Sequence, residues 1–373
     1  MNRIYMDNAA TTRLHPEVLA AMTPYLAEVF GNPSSQHAFG RKANRALEKA
    51  RRQVAQALGA SPEEIFFTSG GTEADNWALE RGMRLREGRN RLITTRIEHH
   101  AVLHPAERLA QEGFEAAYLS PDAEGFISPE SLKEALNERT ALVSVMAANN
   151  EVGSVQPVEA LASLAHEAGA LFHTDAVQAA GCLPFDLAHS PIDMLSLSAH
   201  KFHGPKGVGA LYVRSGLALT PLIGGGAQEK SLRAGTENLA GIVGLGEAIE
   251  RAHIDREARN AHVAALRDRL ERGLLALPGA HRNGPAKKRL PGILNVRFDG
   301  QLNSALLLRL DMRGLAVSAG SACTAGSTDP SHVLLALGLD ERQANESIRF
   351  SLSDDNTEAE VDAAIALLRE LLA

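Results

Sequence analysis

Aromatic side chains are scarce in this chain: Phe, Tyr and Trp together make up 4% of its 373 residues, with a single Trp. Proteins that bind single-stranded nucleic acid stack bases on aromatic rings, so this shortage argues against such a platform. Basic charge is not in excess either. Lys plus Arg number 38 against 45 for Asp plus Glu, a formal charge of −7, which argues against binding a phosphate backbone. Cysteine is nearly missing, with only Cys182 and Cys323. Two cysteines exclude a disulfide scaffold and any all-cysteine metal or cluster site, and they fit a reducing compartment. No run approaches the ~18 uninterrupted apolar residues of a membrane helix. Residues 1–7 carry one positive charge and no apolar stretch behind it, so a secretion signal is not expected. Also absent are the Gly-x-Gly-x-x-Gly fingerprint of dinucleotide binding and the Gly-Lys-Ser/Thr ending of a Walker A loop. His-Glu-x-x-His is missing too, since His166-Glu167 runs on into Ala168-Gly169-Ala170. The expectation is a cytoplasmic chain with no direct contact to nucleic acid or membrane and no intrinsic metal.

What is present is a regular alternation. Apolar runs at 65–67, 92–94, 116–119, 141–147 and 171–172 predict strands, and helical periods at 72–86, 103–110, from Pro129 and at 157–168 lie between them. Near-continuous apolar strands alternating with helices imply a parallel sheet covered on both faces, with the site at the strand carboxyl ends. Two more strands, 193–198 and 209–213, are joined by a link too short for a crossover helix, so the second is expected to be antiparallel. A long helical stretch at 239–277 carries Glu247, Glu250, Arg251, Asp255 and Arg256 and reads as a solvated linker helix. After a break at 286–291, strands at 293–298, 315–317 and 348–352 and a terminal helix through Leu367 form a second, α+β unit. A length of 373 residues exceeds the roughly 250–300 that one core supports, which agrees with a large and a smaller domain.

Several constellations could carry chemistry. In Phe66-Phe67-Thr68-Ser69-Gly70-Gly71-Thr72-Glu73 a strand opens directly into a helix, and the glycines let backbone amides approach an anion. Thr72 could equally be a plain N-cap with Asp75 at the capping-box position. Phe172-His173-Thr174-Asp175 delivers a carboxylate to a strand end, either as a helix cap or facing a heteroaromatic nitrogen, with Gln178 three residues on. Lys201, in Ser198-Ala199-His200-Lys201-Phe202-His203, sits past a strand end where a lysine can form a Schiff base. His99, in Glu98-His99-His100, reads as a loop imidazole or as one that stacks over a ring or moves a proton. Asn149-Asn150-Glu151 brings amide donors to the same edge. Cys323 stands among small residues, Gly320-Ser321-Ala322-Cys323-Thr324-Ala325-Gly326, where a structural cysteine would pack poorly and a nucleophile is the better reading. Cys182, in Ala180-Gly181-Cys182-Leu183, has apolar company and reads as inert.

Together these segments resemble the cysteine desulfurases, pyridoxal phosphate (PLP) enzymes of the class V aminotransferase family. The matching pieces run in order along the chain: residues 5–12, Gly31-Asn32-Pro33-Ser34-Ser35, Gly71-Thr72, Glu98-His99, Asn149-Asn150-Glu151, Asp175 with Gln178, Ser198-x-His200-Lys201, Arg233-Ala234-Gly235-Thr236, Gly320-Ser321-Ala322-Cys323 and Ser347-Ile348-Arg349-Phe350. The Gly-Ser-Ala-Cys loop sets desulfurases apart from the transaminases.

The resemblance implies an α/β fold of the fold type I PLP-dependent transferases. A large domain, 15–255, would hold a mostly parallel seven-stranded sheet, and a smaller α+β domain, 1–14 with 256–373, would carry Cys323 and Arg349. It implies that L-cysteine becomes L-alanine while its sulfur passes to Cys323 as a persulfide, for an iron–sulfur scaffold or another sulfur acceptor, and that the enzyme is a homodimer. Catalytic roles fall to Cys323, Lys201 and His99. Lys201 would hold PLP and shuttle the substrate Cα proton, Asp175 would keep the ring nitrogen protonated and Gln178 would bond the ring hydroxyl. Gly71, Thr72, Ser198 and His200 would bind the phosphate, joined by Thr236 from a second subunit. Arg349 with Asn32 would clamp the substrate carboxylate, and Asn150 would touch cofactor or substrate. After Ser351-Leu352 the family often continues Gly-Arg or Gly-Lys, whereas this chain reads Ser353-Asp354-Asp355. A selenocysteine lyase shares the fold. A sulfur carrier using Cys323 alone would leave Lys201, Asp175 and Gln178 without a role.

Overall fold

The computed structural model describes residues 3–320 and 329–372. Twelve strands form among the described residues: β1 (Ile4–Tyr5), β2 (Ile65–Thr68), β3 (Arg91–Thr95), β4 (Glu115–Leu119), β5 (Thr140–Ser144), β6 (Leu171–Asp175), β7 (Met194–Ser198), β8 (Gly209–Val213), β9 (Ala280–Asn283), β10 (Ile293–Phe298), β11 (Leu315–Ala316) and β12 (Ser347–Ser351). Seven of them make one sheet in the order β2-β8-β7-β6-β5-β3-β4. The central strands β5, β6 and β7 are buried at every position and pair in parallel, because helices cover both of their faces. β8 is antiparallel to both of its neighbours, β7 and β2, as the short link before it requires.

One face of the sheet packs on helices Ala38–Leu58, Val158–Glu167 and Leu239–His253. The other packs on Gly71–Gly82 and His100–Gln111, with Trp77 and Leu79 fully buried. A separate core joins Met6, Leu270, Val296, Phe298, Ile348, Phe350 and Leu368 beneath the antiparallel sheet β12-β10-β9. β1 pairs in parallel with β11 beside that core, so the start of the chain lies against its last third.

The structure departs from the sequence reading in several places. The helical stretch at 239–277 is two helices, Leu239–His253 and Arg256–Leu275, parted at Asp255, whose φ of +49° breaks the helical run. The first of them is no solvated linker. It buries Ile242, Leu245, Ala248 and Ile249 and packs on helix Ala38–Leu58, while its charges sit at the rim, where Glu250 accepts from Gln53 at 2.6 Å. The helix that opens after Gly70 stops at Gly82 rather than Arg86, and the strand at 141–147 ends at Ser144. β9, Ala280-His281-Arg282-Asn283, has no apolar run to mark it as a strand and forms by pairing with β10. No described helix is long and apolar enough to cross a membrane.

This architecture gathers the site. Thr68, Asp175 and Ser198 end their strands on one sheet edge, and the loops that follow them face the small-sheet strand β12. Between them runs the segment after β1. Met6 is held by Ala316 O and Ser351 N at 2.9 and 2.8 Å, Asn8 N donates to Ser351 O, and Thr12 N donates to His200 O.

Candidate active site

An anion cup forms where β2 turns into helix Gly71–Gly82. Gly70 precedes the helix with φ +154° and ψ −178°, a conformation open essentially to glycine alone. No side chain caps the helix, so its first N–H groups and the positive end of its dipole face the recess. Thr72 is therefore not the N-cap; it is the second helical residue and is exposed at the recess wall. Ser198, His200 and Lys206 line the same recess. Burial and the neighbouring Lys201 and Lys206 push His200 down to about 4, so its ring is neutral at pH 7. The positive potential that depresses His200 is the potential a phosphate dianion would meet.

Next to the cup lies a cavity of about 170 Å³ lined by Gly71, Thr72, Asp75, His99, Asn150, Asp175, Gln178, Ser198, His200, Lys201 and Arg349. It unites nearly all the residues singled out in the sequence. Two stay apart in the single chain. Asn32 is exposed, and its Oδ1 accepts from Ser34 N at 2.9 Å, which engages it in its own turn instead of beside Arg349. Thr236 is exposed on the segment after Arg233. Cys323 lies outside the described residues.

Lys201 closes a short 3-10 turn directly after β7, and its Nζ donates to Ala9 O at 2.5 Å and to Ala10 O at 3.0 Å. Gln178 Nε2 donates to the same Ala9 O at 2.8 Å. The segment after β1 thus holds the amine and the amide side by side. Asp175 is the last residue of β6, and its Oδ1 accepts from Val177 N at 2.8 Å. Burial pushes its carboxyl above the usual range, with His99 and Lys201 opposing the shift, so a buried cation set before it would be its natural partner.

Behind Asp175, on the same strand face, His173 is fully buried between Ser144 Oγ at 2.9 Å and Ser196 Oγ at 3.0 Å. Burial pushes its ring down to about 3, so it is neutral. Asp75 Oδ1 stands 3.6 Å from His173, and burial together with Asp175 raises the Asp75 carboxyl well above its ordinary value. Sequence reasoning offered Asp75 only as a capping residue. The signal that could have found it is a carboxylate on the apolar face of its helix, between Ala74 and Trp77-Ala78.

His99 caps helix His100–Gln111, its Nδ1 accepting from Ala101 N at 3.1 Å, so in the neutral ring the proton is on Nε2. Its neighbour Glu98 is buried, accepts from Met146 N at 2.9 Å and Thr95 Oγ1 at 2.8 Å, and is pushed up to about 8, mainly by burial. Arg349 lies in the middle of β12 and is 1% exposed. Its Nη2 donates to Asp7 Oδ1 at 2.9 Å and its Nη1 to Asn150 O at 3.0 Å, while Nε has no partner. A buried guanidinium with an unspent donor beside a cavity suits a small carboxylate. Cys182 has a thiol raised by burial, which suits the inert role read for it. Among the described residues no group of three His, Cys, Asp or Glu side chains is placed to hold a metal ion.

The family model described as Aminotransferase class-V matches residues 4–364. A cysteine desulfurase of Gluconacetobacter diazotrophicus is 51% identical over 100% of this chain and 94% of its own length. Among solved structures, a NifS-like protein superposes with a TM-score of 0.94 at 44% identity, covering 99% of both chains. A structure described as SspA in complex with cysteine gives a TM-score of 0.82 at 40% identity, over 94% of this chain and 99% of that one.

Proposed function

The chain belongs to the aminotransferase class-V family and, within it, to the cysteine desulfurases, and we propose that its cavity releases the sulfur of L-cysteine to Cys323 with the help of pyridoxal 5′-phosphate. The observation that carries this reading is the meeting of Lys201, Asp175, Gln178 and Arg349 with a helix N-terminus around one cavity of about 170 Å³.

The donor set fits that cofactor. The Gly70–Gly71 turn, Thr72, Ser198 and His200 would hold the phosphate, joined by Thr236 from a second subunit of a homodimer. Asp175 would keep the ring nitrogen protonated, Gln178 would bond the ring hydroxyl, and Lys201 Nζ would be the amine for the aldehyde. When bound, the cofactor supplies an electron sink for breaking the substrate Cα–H bond.

The chain's own residues do the rest. Arg349 and Asn150 orient the substrate carboxylate, Arg349 through N–H donors left over from its bonds to Asp7 and Asn150 O. Lys201 Nζ takes the proton from the substrate Cα and returns it. His99 would cover the ring face and would move the thiol proton through Nε2, the nitrogen left free by its Nδ1 cap bond. The Cys323 thiolate attacks the substrate sulfur: an S–S bond forms, the Cβ–S bond breaks, and the carbon takes up a proton to become the methyl of alanine. One thiol and one cysteine give one persulfide and one alanine, so no external oxidant or reductant is consumed. A cytoplasmic iron–sulfur scaffold or another sulfur-acceptor protein takes the persulfide.

The test is the visible absorbance of the purified protein together with its products. The wild type is expected to be coloured, to lose its colour on borohydride reduction or in Lys201→Ala, and to form alanine from cysteine. Cys323→Ala is expected to keep the colour and lose sulfur transfer. A colourless protein that takes up no added cofactor, or a Cys323→Ala variant with full desulfuration, would overturn the reading.

A further inference from the structure

Both described ends of the segment that carries Cys323 come to one carboxylate. On the far side, Ser331 Oγ donates to Glu151 Oε2 at 2.5 Å. On the near side, Gly320 lies beside the same carboxylate: a Cβ added there would stand 3.1 Å from Oε2, too tight for a side chain unless the carboxylate gave way. Glu151 is 1% exposed and is fixed in turn. Its N–H donates to Asn149 Oδ1 at 2.9 Å, and its carbonyl accepts from Asn295 Nδ2 at 3.3 Å.

Each end has a second attachment that leads to the active site. Ser318 pairs with Arg349 in both directions, at 3.1 and 2.6 Å, so the near end hangs from the substrate-facing arginine. On the far side, His332 Nε2 bonds Glu98 O at 2.9 Å, one residue from His99. Val333 and Leu334 are buried with Ile97, Met146 and Val152, residues of the large-sheet loops. Ser331 also caps the short helix His332–Ala336 by accepting from Leu334 N at 3.2 Å. The carboxylate is one residue from Asn150, whose carbonyl accepts from Arg349.

We propose that Glu151 is a positioning residue for sulfur transfer. Its carboxylate holds the two ends of the Cys323 segment together, at a fixed place relative to Arg349 and His99. Glu151 does not line the cavity and touches no reacting atom. It acts by limiting where Cys323 can be relative to the substrate sulfur, and a misplacement of about 1 Å is enough to cost a large factor in rate. The proposal rests on the desulfurase reading above.

The test compares holoenzymes of wild type, Glu151→Ala, Glu151→Gln, Ser331→Ala and the Glu151→Ala/Ser331→Ala double variant. Three quantities are followed: cofactor absorbance, KM for cysteine, and the single-turnover rate of persulfide formation on Cys323, read by mass after alkylation. Glu151→Ala is expected to keep the absorbance and KM and to slow persulfide formation about 10–100-fold. Glu151→Gln, which still offers an acceptor to Ser331, is expected to recover most of the rate. Ser331→Ala is expected to slow transfer in the same way, and the double variant to be no slower than Glu151→Ala, because the two residues act through one bond. Should Glu151→Ala fail to fold, Ser331→Ala and Glu151→Gln carry the comparison. Glu151→Ala and Ser331→Ala variants that transfer sulfur at the wild-type rate, or that lose KM and absorbance in step with rate, would overturn the inference and leave the desulfurase reading in place. A wild type that forms no persulfide on Cys323 would overturn both.

Discussion

Arg349 Nη2 and Asp7 Oδ1 stand 2.9 Å apart although 342 residues separate them in the chain. The arginine is 1% exposed, so Asp7 is the anion that allows a guanidinium to be held beside the cavity. Asp7→Ala leaves this charge uncompensated and is expected to lower the unfolding free energy by about 3 kcal/mol in a urea titration of the holoenzyme. Arg349→Lys keeps the charge and loses the fork. It is expected to raise KM for cysteine roughly 10–100-fold, with little change in cofactor absorbance.

His203 Nε2 lies 3.2 Å from Asp354 Oδ1, and its Nδ1 lies 4.0 Å from Asp355 Oδ2. Bonding to Asp354 raises the His203 ring above its ordinary value against the effect of burial, and the same bond lowers the Asp354 carboxyl. The stabilisation from His203 is complete below its unfolded value of about 6.5 and fades as pH rises through the raised folded value; that from Asp354 is complete above about 4 and fades as pH falls. Asp354→Asn is expected to lower Tm most between about pH 5 and 6 and least above about pH 8. A Tm difference that grows toward alkaline pH would refute the pair.

Glu98 gives the opposite slope from a carboxyl group. Its folded value is pushed up to about 8 from an ordinary 4.5, so between those limits the unfolded chain releases a proton that the folded chain keeps. Stability contributed in this way is present below about pH 4.5 and is lost as pH climbs toward 8. Glu98→Gln is expected to flatten the Tm profile over this window, gaining on the wild type most at its alkaline end. Equal profiles in a thermal-shift series would show that the carboxyl titrates normally.

Arg51 and Glu229 form a buried two-bond pair, at 2.7 and 2.9 Å, and Glu229 Oε2 also accepts from Phe67 N. Glu229, Lys230 and Ser231 all have positive φ, a strained run that this pair pins to β2 ahead of Thr236. Glu229→Ala is expected to cost about 3–5 kcal/mol in chemical denaturation. An apolar double replacement, Arg51→Leu with Glu229→Leu, should recover part of the loss, because no lone charge then remains buried.

The parts of the site that a sequence shows are those fixed by a strand end. Asp175 and Lys201 could be placed because an apolar run stops just before each of them and a parallel sheet puts such ends on one edge. The antiparallel setting of β8 was equally readable, since its link is too short for a crossover. What stayed hidden depends on contacts distant in the chain. Asp75 looks like a helix cap until its helix is seen lying on β6. The break at Asp255 arises from one left-handed residue in a stretch whose composition is helical throughout. β9 is polar and short, and it becomes a strand because β10 offers it an edge. The role of residues 8–10 as acceptors for Lys201 and Gln178 is carried by backbone carbonyls, which no side-chain pattern reports.

The segment after β1 also orders events during synthesis. Its partners include Ser351, 343 residues downstream of Asn8. At ~5–20 residues per second, Asn8 is made roughly 20–70 s before that partner exists. The seven-stranded sheet can form in that interval, since its last strand ends at Val213. Lys201 and Gln178 then face a cavity without its Arg349 wall until β12 has been made. A chain cut before β12 would keep all seven strands of the large sheet and lack the guanidinium wall of the cavity.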